Sequence, residues 1–372
     1  MKRFFLFLTL LLSPTLLQAE VIPTWGLMAL FAADLQKGDP LGDTINQRAK
    51  ELVKSMKGNH SVCTVIVVDT RGGGVRHEIW RGKHRAVSLT EIDLAHPFQL
   101  QHDWIIPYRK LCGAKKTVAI FSSHGSGWTG TIGGGNKKED TLTIQGLQKA
   151  LSSYRDSIDL LVLDICSMSS LEVITELHPR VKQLIAAESR LDREGIHFRA
   201  ITELTPETST DVLAKRILEQ SKQALSKPNR LDGNLTWLDL SDVNMLNKEL
   251  SSMVLLAKKK REEGKLTFTD LLLWHDPFEE GNPNSDLKNT LDFLLNDPKT
   301  PLLLKNQAHA TMLVLQRVIK QTTSQLHGGL SWYVPRLIEG KKIRLQKNHE
   351  QLVAAHQKLA VAKMIDWENW IK

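Results

Sequence analysis

The amino-acid sequence predicts an α/β protein with a doubly wound, mostly parallel sheet flanked by helices. Short apolar segments bounded by turn residues recur along the first two thirds of the chain, as at residues 117–121 and 158–163. Such segments are typical of strands that are covered on both faces. Helical periodicity between them, as at residues 43–57 and 141–154, indicates helices that connect one parallel strand to the next.

The elements are predicted in a simple order along the chain. Strands are expected at residues 24–31, 61–68, 75–80, 117–121, 158–163, 181–187 and 235–240, the third of them short and more exposed, and residues 94–111 are expected to be partly helical. From about residue 242 the pattern changes to helices, at 243–260, 285–295, 302–320 and 348–365, with one strand at 329–334. No linker marks a free second domain. We therefore expect an α/β domain over residues 20–241 and a mainly helical subdomain over residues 242–372 packed on it.

The first residues predict an export signal. Lys2 and Arg3 form a charged start, residues 4–12 an apolar core, and residues 17–19 a small-residue cleavage site. The apolar core is too short for a good spanning helix and is followed by Pro14, so we expect a cleaved signal peptide over residues 1–19, with an uncleaved anchor as the alternative. An exported protein, periplasmic or extracellular and without stable membrane insertion, follows from this interpretation.

The charge of the chain is modest. The full chain carries a formal +8, and loss of Lys2 and Arg3 with the signal leaves +6. The basic run at residues 258–261 has no interleaved aromatic residues, which a nucleic-acid surface would need, and cations suit the end of a helix. We expect a monomer with no nucleic-acid partner.

Three cysteines are too few for a disulfide framework in an exported protein. Cys166 is predicted to be a free thiol. Cys63 and Cys112 precede or open predicted strands, and two strands separated by a third lie further apart than the roughly 7 Å between Cα atoms that a disulfide allows. We therefore expect these two to remain unpaired, unless a loop bends inward and joins them.

Two reactive side chains follow neighbouring strands of the predicted sheet. His124 comes after the strand at 117–121, and Cys166 comes after the strand at 158–163. Chemistry in such sheets collects outside the carboxyl ends of the strands, so the two side chains are expected to face one crevice. A thiolate nucleophile with an imidazole as acid and base is the chemistry of a cysteine peptidase. Packing of a small buried thiol is the alternative for Cys166.

The surroundings of this pair predict two further features. A helix is expected directly after Cys166, and a helix N-terminus favours the thiolate. Gly125 has no side chain to keep its backbone N–H from a ligand. The N–H groups of Gly125 and Cys166 are therefore the candidate oxyanion hole.

These residues resemble a known family. His124-Gly-Ser-Gly-Trp128 and Asp164-Ile-Cys166-Ser-Met168 resemble the signatures of the clostripain-like cysteine peptidases, which share a caspase-type fold with caspases, gingipains and legumain. The resemblance extends more loosely from about residue 25 to residue 335. It implies a caspase-like fold and proteolysis of peptide bonds. One departure is that Gly195 lacks the aromatic residue expected directly after it.

Asp164 is the candidate for substrate specificity. Side chains two apart on a strand point the same way, so Asp164 is expected to line the crevice of Cys166. A carboxylate in the pocket for the residue before the scissile bond would pair with Arg or Lys, and Arg more strongly. The resemblance implies the same basic preference. A carboxylate that only stabilises a helix N-terminus is the alternative, and Asp192 or Glu188 would be next in line for the pocket.

No cofactor is expected. The glycine runs at 72–74 and 133–135 lack the Lys-Ser/Thr and the strand–helix context of a phosphate loop, and the chain has no H-E-x-x-H or paired C-x-x-C motif. Calcium is the open alternative, with carboxylates at Glu139, Asp140, Glu279 and Glu280 that solvation alone also explains.

The predicted function is an exported endopeptidase that acts on proteins or peptides with basic residues. A catalytically silent envelope-binding protein of the same fold, and a transpeptidase using the same acyl-enzyme, are the alternatives. Self-processing is expected between the two motifs, at Lys137 or Lys138 in a glycine-rich loop, because loops of small and polar residues are preferred nicking sites. Lys149, inside a predicted helix, is the weaker candidate.

Overall fold

A computed structural model of the chain describes residues 22–34, 39–129, 133, 141–225, 234–266, 284–324, 327–333 and 349–365. The strands in these ranges are β1 (Trp25–Ala32), β2 (Val62–Thr70), β3 (Gly73–Trp80), β4 (Lys83–Leu89), β5 (Lys116–Ser122), β6 (Ile158–Asp164), β7 (Val181–Ala187), β8 (Leu235–Asp239), β9 (Asn284–Asp286), β10 (Ile319–Thr322) and β11 (Ser331–Tyr333). Nine of them form one sheet in the order β10-β8-β7-β6-β5-β1-β2-β3-β4, and β9 pairs with β11.

The centre of the sheet is parallel and its two edges are antiparallel. β7, β6, β5, β1 and β2 run parallel to one another, which confirms the predicted doubly wound class. The predicted strand at 235–240 is β8, but it pairs antiparallel with β7, with Ala187 opposite Leu235. Described helices at 199–202 and 210–225 lie between these strands, and the chain enters β8 beside the end where β7 finishes. β4 was not predicted, because its side chains are mostly exposed and carry no apolar alternation.

The helices lie on both faces of the sheet. They are α1 (Pro40–Gly58), α2 (Pro97–Leu100), α3 (Ile106–Leu111), α4 (Ile144–Leu151), α5 (Leu171–Leu177), α6 (Arg199–Thr202), α7 (Thr210–Leu225), α8 (Val243–Glu262), α9 (Leu287–Asn296), α10 (Leu302–Val318), α11 (His349–His356) and α12 (Ala360–Met364). A π-helical turn, Gln101–Ile105, joins α2 to α3. The predicted helix at 302–320 ends early because β10 takes its last residues, and the one at 348–365 is broken in two.

Alternation along the strands divides the core between the two faces. In β6, Leu160 and Val162 pack with α1, α6 and α7, whereas Leu161 and Leu163 pack on the opposite face. The second face also carries the described helices from α2 to α5 and from α8 to α12. One continuous core therefore joins the sheet to the helices after residue 242. The boundary proposed at residues 241 and 242 stays a prediction.

Cys63 and Cys112 form a disulfide, which contradicts the expectation that they stay unpaired. Their Cα atoms lie 5.4 Å apart. Cys63 is in β2, as predicted, but Cys112 caps the end of α3 and does not open a strand. Because α3 packs across the face of the sheet, its end lies next to β2. The spacing between strands therefore does not limit the distance between the two cysteines.

Candidate active site

Two neighbouring parallel strands deliver His124 and Cys166 to the same edge of the sheet. Ser122 at the end of β5 is the register partner of Asp164 at the end of β6. His124 and Cys166 each lie two residues further along, and the loops that carry them pack together. A Cβ on Gly127 would collide with the carbonyl oxygen of Ser167. The backbone therefore brings the two predicted residues to one end of adjacent strands, as the sequence indicated.

Cys166 lies in a tight turn and is half-buried, and among the described cysteines it is the one that is not in a disulfide. Ser167, directly after it, has φ of 59°, a conformation that residues other than glycine rarely adopt. The Ser167 N–H donates to the carbonyl of Ser189 at 2.8 Å, and the Ser169 N–H donates to the carbonyl of Ala187 at 2.8 Å. The extension of β7 thus holds the turn in its strained conformation.

The helix expected directly after Cys166 begins later. α5 starts at Leu171, and the Ser170 hydroxyl caps it by accepting the N–H of Val173 at 3.3 Å. A helix dipole acts over its terminal turn, so the predicted stabilisation of a thiolate by the helix start is wrong for this geometry. The Cys166 sulfur instead accepts a hydrogen bond from Leu191, whose N–H lies 3.3 Å from Sγ. A thiolate accepts such a bond more strongly than a neutral thiol does.

His124 has a carboxylate partner that the sequence analysis did not identify. Its Nε2 lies 2.8 Å from Oδ2 of Asp39, with 45% and 28% of the two side chains exposed. Asp39 is held in turn as the N-cap of α1, where its Oδ1 accepts the N–H of Leu41 at 2.9 Å. Burial raises the pKa of Asp39, but the hydrogen bonds from Leu41 and His124 outweigh it and leave the pKa below its usual value. An ionised carboxylate therefore orients the imidazole.

The one sequence signal for Asp39 is the proline that follows it. An Asp before Pro at the start of an apolar periodic segment is typical of a helix N-cap, and that pattern begins here at Asp39 and Pro40. Asp39 and His124 are separated by 85 positions in the chain, so no local pattern shows the contact. The Nδ1 of His124 remains as the ring nitrogen that faces away from Asp39.

The side chain of Asp164 is buried and bonded at both oxygens. Its Oδ2 lies 2.6 Å from Nη1 of Arg48 in α1 and accepts the Ser122 hydroxyl at 2.5 Å. Its Oδ1 accepts the N–H of Ile196 at 2.7 Å. The exposed fractions of the Arg48 and Asp164 side chains are 14% and 2%. The carboxylate predicted to bind a substrate cation is thus already paired with a cation of the same chain.

Glu188 and Asp192, the alternative acids for the substrate pocket, differ in burial and in position. Glu188 is buried, and its Oε2 accepts N–H groups from Asn234 at 2.7 Å and Gly329 at 2.8 Å. Burial, followed by the negative charge of Asp286, raises the pKa of Glu188 well above its usual value. Glu188 therefore belongs to the joint between β7 and the C-terminal segment, where it is closed to substrate. Asp192 is half-buried and lies in the loop beside Cys166.

Residues of the C-terminal third brace the loop of His124. Trp128 packs edge-on against Tyr333 and His356, with ring centroids 5.0 Å and 5.2 Å apart. Its indole N–H donates to Oδ1 of Asn284 at 3.0 Å. These contacts anchor the loop four residues after His124. Asn284, Tyr333 and His356 all lie in the segment 242–372 that was predicted as a helical subdomain.

Several predicted residues stay untested by these contacts. Gly125 is half-buried in the loop between His124 and Gly127, and the oxyanion hole formed by the N–H groups of Gly125 and Cys166 stays a prediction. Lys137 and Lys138 lie outside the described residues, as do the calcium candidates Glu139, Asp140, Glu279 and Glu280. Within the described ranges, no group of three or more His, Cys, Asp or Glu side chains is arranged to hold a metal ion.

The fold and the paired loops define the class of this protein: a cysteine protease with a caspase-like sheet. The profile of the clostripain family matches residues 45–298, and the chain belongs to that family. The resemblance noted in the two motifs is therefore confirmed. A search of curated proteins found no significant match. No helix in the described ranges combines the length and apolarity needed to cross a membrane.

Solved structures of the same family share the fold. The secreted C11 cysteine protease iotapain from Bacteroides thetaiotaomicron is 15% identical, with a TM-score of 0.69, over 92% of this chain and 99% of that one. An inactive zymogen C11 protease from Parabacteroides distasonis is 14% identical, with a TM-score of 0.67, over 92% and 98%. A secreted C11 protease from B. thetaiotaomicron in complex with an irreversible peptide inhibitor is 12% identical, with a TM-score of 0.68, over 93% and 99%.

Proposed function

We propose that this protein is an exported cysteine endopeptidase that uses a Cys166 nucleophile and a His124 acid and base. The observation that supports it best is the register of β5 and β6, which pairs Ser122 with Asp164 and so starts the two reactive loops side by side. The hydrogen bond that Asp39 accepts from His124 adds an ionised partner for an imidazolium.

The proposed chemistry runs through an acyl-enzyme. His124 takes the proton of the Cys166 thiol, the sulfur attacks the scissile carbonyl carbon, and the carbonyl oxygen takes up the negative charge within reach of the Gly125 and Cys166 N–H groups. The tetrahedral intermediate then breaks its C–N bond as His124 gives a proton to the leaving amine. Water, deprotonated by His124, attacks the thioester, and the carbonyl re-forms with release of the Cys166 sulfur. Asp39 holds the ring and stabilises its charged form at each proton transfer.

Cleavage after Arg or Lys, with Asp164 as the carboxylate of the pocket, is the proposed specificity. A set of peptides that differ only in the residue before the scissile bond tests it. We expect kcat/KM to be higher for Arg and Lys than for neutral residues of similar length. Higher turnover of the Gln peptide than of the Arg peptide would contradict a pocket for basic residues.

Export and self-processing belong to the same proposal. The Cys63–Cys112 disulfide supports an oxidising compartment, where such bonds persist, and the relative iotapain is described as secreted. Self-processing at Lys137 or Lys138 is tested by comparing purified wild type with Cys166→Ala. Two fragments from the wild type beside an intact variant support it, and equal cutting of both chains assigns the cut to another protease.

Active-site labelling tests the catalytic proposal directly. A peptide acyloxymethyl ketone should label wild type at Cys166 and should fail on Cys166→Ala, while His124→Ala should label far more slowly. Unlabelled wild type with a cooperative unfolding transition would instead support a catalytically silent scaffold. Adding an amine nucleophile and analysing the products separates hydrolysis from transpeptidation.

A further inference from the structure

Arg48 has an unusual position for a charged residue. It lies on the buried stripe of α1, in helical register with Ile45, Ala49 and Leu52, all of which pack in the core. Its side chain is 14% exposed and crosses to the end of β6, where Nη1 meets the Asp164 carboxylate. α1 therefore contributes a guanidinium group to the edge of the sheet where the reactive loops lie.

Three groups surround this guanidinium group. Asp164 supplies a carboxylate, and the carbonyl oxygen of Ile196 accepts a hydrogen bond from Nη2 of Arg48. The centroid of the Phe198 ring lies 4.7 Å from the Arg48 Cζ atom. A carboxylate forms charge-assisted hydrogen bonds with a guanidinium group, and an aromatic face attracts its positive charge. Gly195, with φ of 64°, lets the chain pass over the pair, since a Cβ there would collide with both Arg48 and Asp164.

This site borders the reaction centre. Asp164 is two residues before Cys166, and its backbone carbonyl accepts the N–H of Ser123, the residue before His124, at 3.3 Å. The segment that supplies Ile196 and Phe198 begins with Leu191, whose N–H donates to the Cys166 sulfur at 3.3 Å. The guanidinium site and the nucleophile thus share one strand end and one loop.

We propose that Arg48 is a specificity-determining residue that occupies, as an internal ligand, the position in which Asp164 would hold a basic side chain of the substrate. The inference rests on the proposed function, because it concerns the residue before the scissile bond. A substrate Arg or Lys binds Asp164 only by displacing a buried, hydrogen-bonded ion pair, and separating such a pair is strongly unfavourable. The wild-type enzyme therefore discriminates weakly in favour of basic residues.

A purely structural ion pair would share these contacts but would behave differently when Arg48 is removed. If Arg48 only ties α1 to the sheet, Arg48→Ala lowers stability and leaves the ratio of kcat/KM for Arg and Gln peptides unchanged. If Arg48 fills the recognition site, Arg48→Ala vacates a site for guanidinium beside an uncompensated carboxylate. A substrate Arg then restores the pair, so the same variant gains turnover of Arg peptides.

The experiment compares peptides with Arg, Lys, Gln or Leu before the scissile bond. The proteins are wild type, Arg48→Ala, Arg48→Lys, Asp164→Asn, the Arg48→Ala/Asp164→Asn double variant, and Lys54→Ala, which removes an exposed cation from the same helix. We expect Arg48→Ala to raise the Arg-to-Gln ratio at least tenfold, and the double variant and Lys54→Ala to keep the wild-type ratio. Millimolar guanidinium chloride should compete with Arg peptides in Arg48→Ala and not in wild type.

Wild type and Arg48→Lys keep the test decisive if Arg48→Ala does not fold. Lysine retains the charge but loses the planar fork, so we expect a smaller rise in the Arg-to-Gln ratio. Asp164→Asn should change the wild-type ratio by less than about threefold, because the wild-type carboxylate is already engaged. A strong wild-type preference for Arg that Asp164→Asn abolishes would overturn the inference, as would an unchanged ratio in a folded Arg48→Ala.

These outcomes separate the inference from the proposed function. A neutral peptide acyloxymethyl ketone reports on Cys166 without involving Asp164. Labelling and turnover of neutral peptides with an unchanged Arg-to-Gln ratio would overturn the role of Arg48 alone. Absence of labelling and of turnover in every protein, wild type included, would overturn the proposed function and the inference with it.

Discussion

Replacing Asp39 by Asn tests whether the carboxylate beside His124 contributes to catalysis. The change removes one charge and keeps the size of the side chain. It also keeps an oxygen that can accept the Leu41 N–H, so the cap of α1 is retained. The amide cannot, however, accept from His124 and from Leu41 with the same strength as a carboxylate, and it carries no charge to stabilise an imidazolium.

The expected magnitude follows from the geometry. Unit charges 2.8 Å apart interact by about 1.5 kcal/mol when water screens them fully, and we use this screened value because both side chains are more than a quarter exposed. A hydrogen bond to a charged group contributes at most about 3 kcal/mol. We therefore expect kcat/KM to fall roughly 10- to 150-fold, at a tenfold loss per 1.36 kcal/mol.

The assay is the pH profile of kcat/KM for a neutral peptide, measured for wild type, Asp39→Asn and Asp43→Asn. Asp43 is an exposed acid in the first turn of the same helix, so its variant makes the same charge change at the same helix end without touching His124. We expect the profile of Asp43→Asn to overlay that of wild type, and Asp39→Asn to lower kcat/KM across the profile. Equal profiles for both variants would refute the role of Asp39, as would a loss in Asp39→Asn explained by unfolding alone.

Three further predictions concern the fold around the site. Replacing Cys63 and Cys112 by Ala should lower the free energy of unfolding by about 4 kcal/mol in denaturant titrations, because the disulfide spans 49 residues, and a loss under about 1 kcal/mol would contradict this. The pKa of Glu188 is raised from its ordinary 4.5 by burial and by neighbouring negative charge. Above pH 4.5 the folded protein therefore keeps a proton that the unfolded chain releases, and the free energy of unfolding falls as the pH rises towards the raised pKa. Glu188→Gln should remove this fall and gain on wild type as pH increases, whereas parallel stability curves would refute it. Trp128→Phe should keep most of the activity and lower the free energy of unfolding by about 1 kcal/mol, because it removes one hydrogen bond. Trp128→Ala should lower kcat as well. Equal effects of the two changes would contradict the bracing of the His124 loop.

The sheet was predictable because its strands carry the signal in their own residues. β5, β6 and β7 are short apolar segments bounded by turns, and burial on both faces requires that composition. β4 escaped prediction because an exposed edge strand needs no apolar alternation. The antiparallel direction of β8 escaped because direction depends on the path of the connecting helices, which no single segment encodes.

The reactive pair was predictable for the same reason, and its partners were not. His124 and Cys166 directly follow buried strands, so parallel pairing alone brings their loops together. Asp39 lies 85 residues before His124, and Arg48 lies 116 residues before Asp164. Both partners belong to α1, whose sequence indicates an amphipathic helix but not which strand end it covers.

Local sequence by itself determined the class of fold, the two reactive loops and the family to which they belong, because each rests on residues that are adjacent in the chain. The tertiary structure decided the disulfide between Cys63 and Cys112, the delayed start of α5 after the turn at Cys166, and the engagement of Asp164 by Arg48. Each of these depends on where one element packs against another, and packing is set by the combined burial of many distant residues. For this physical reason the sequence predicts that Asp164 faces a substrate, whereas in the structure its carboxylate binds Arg48 of α1.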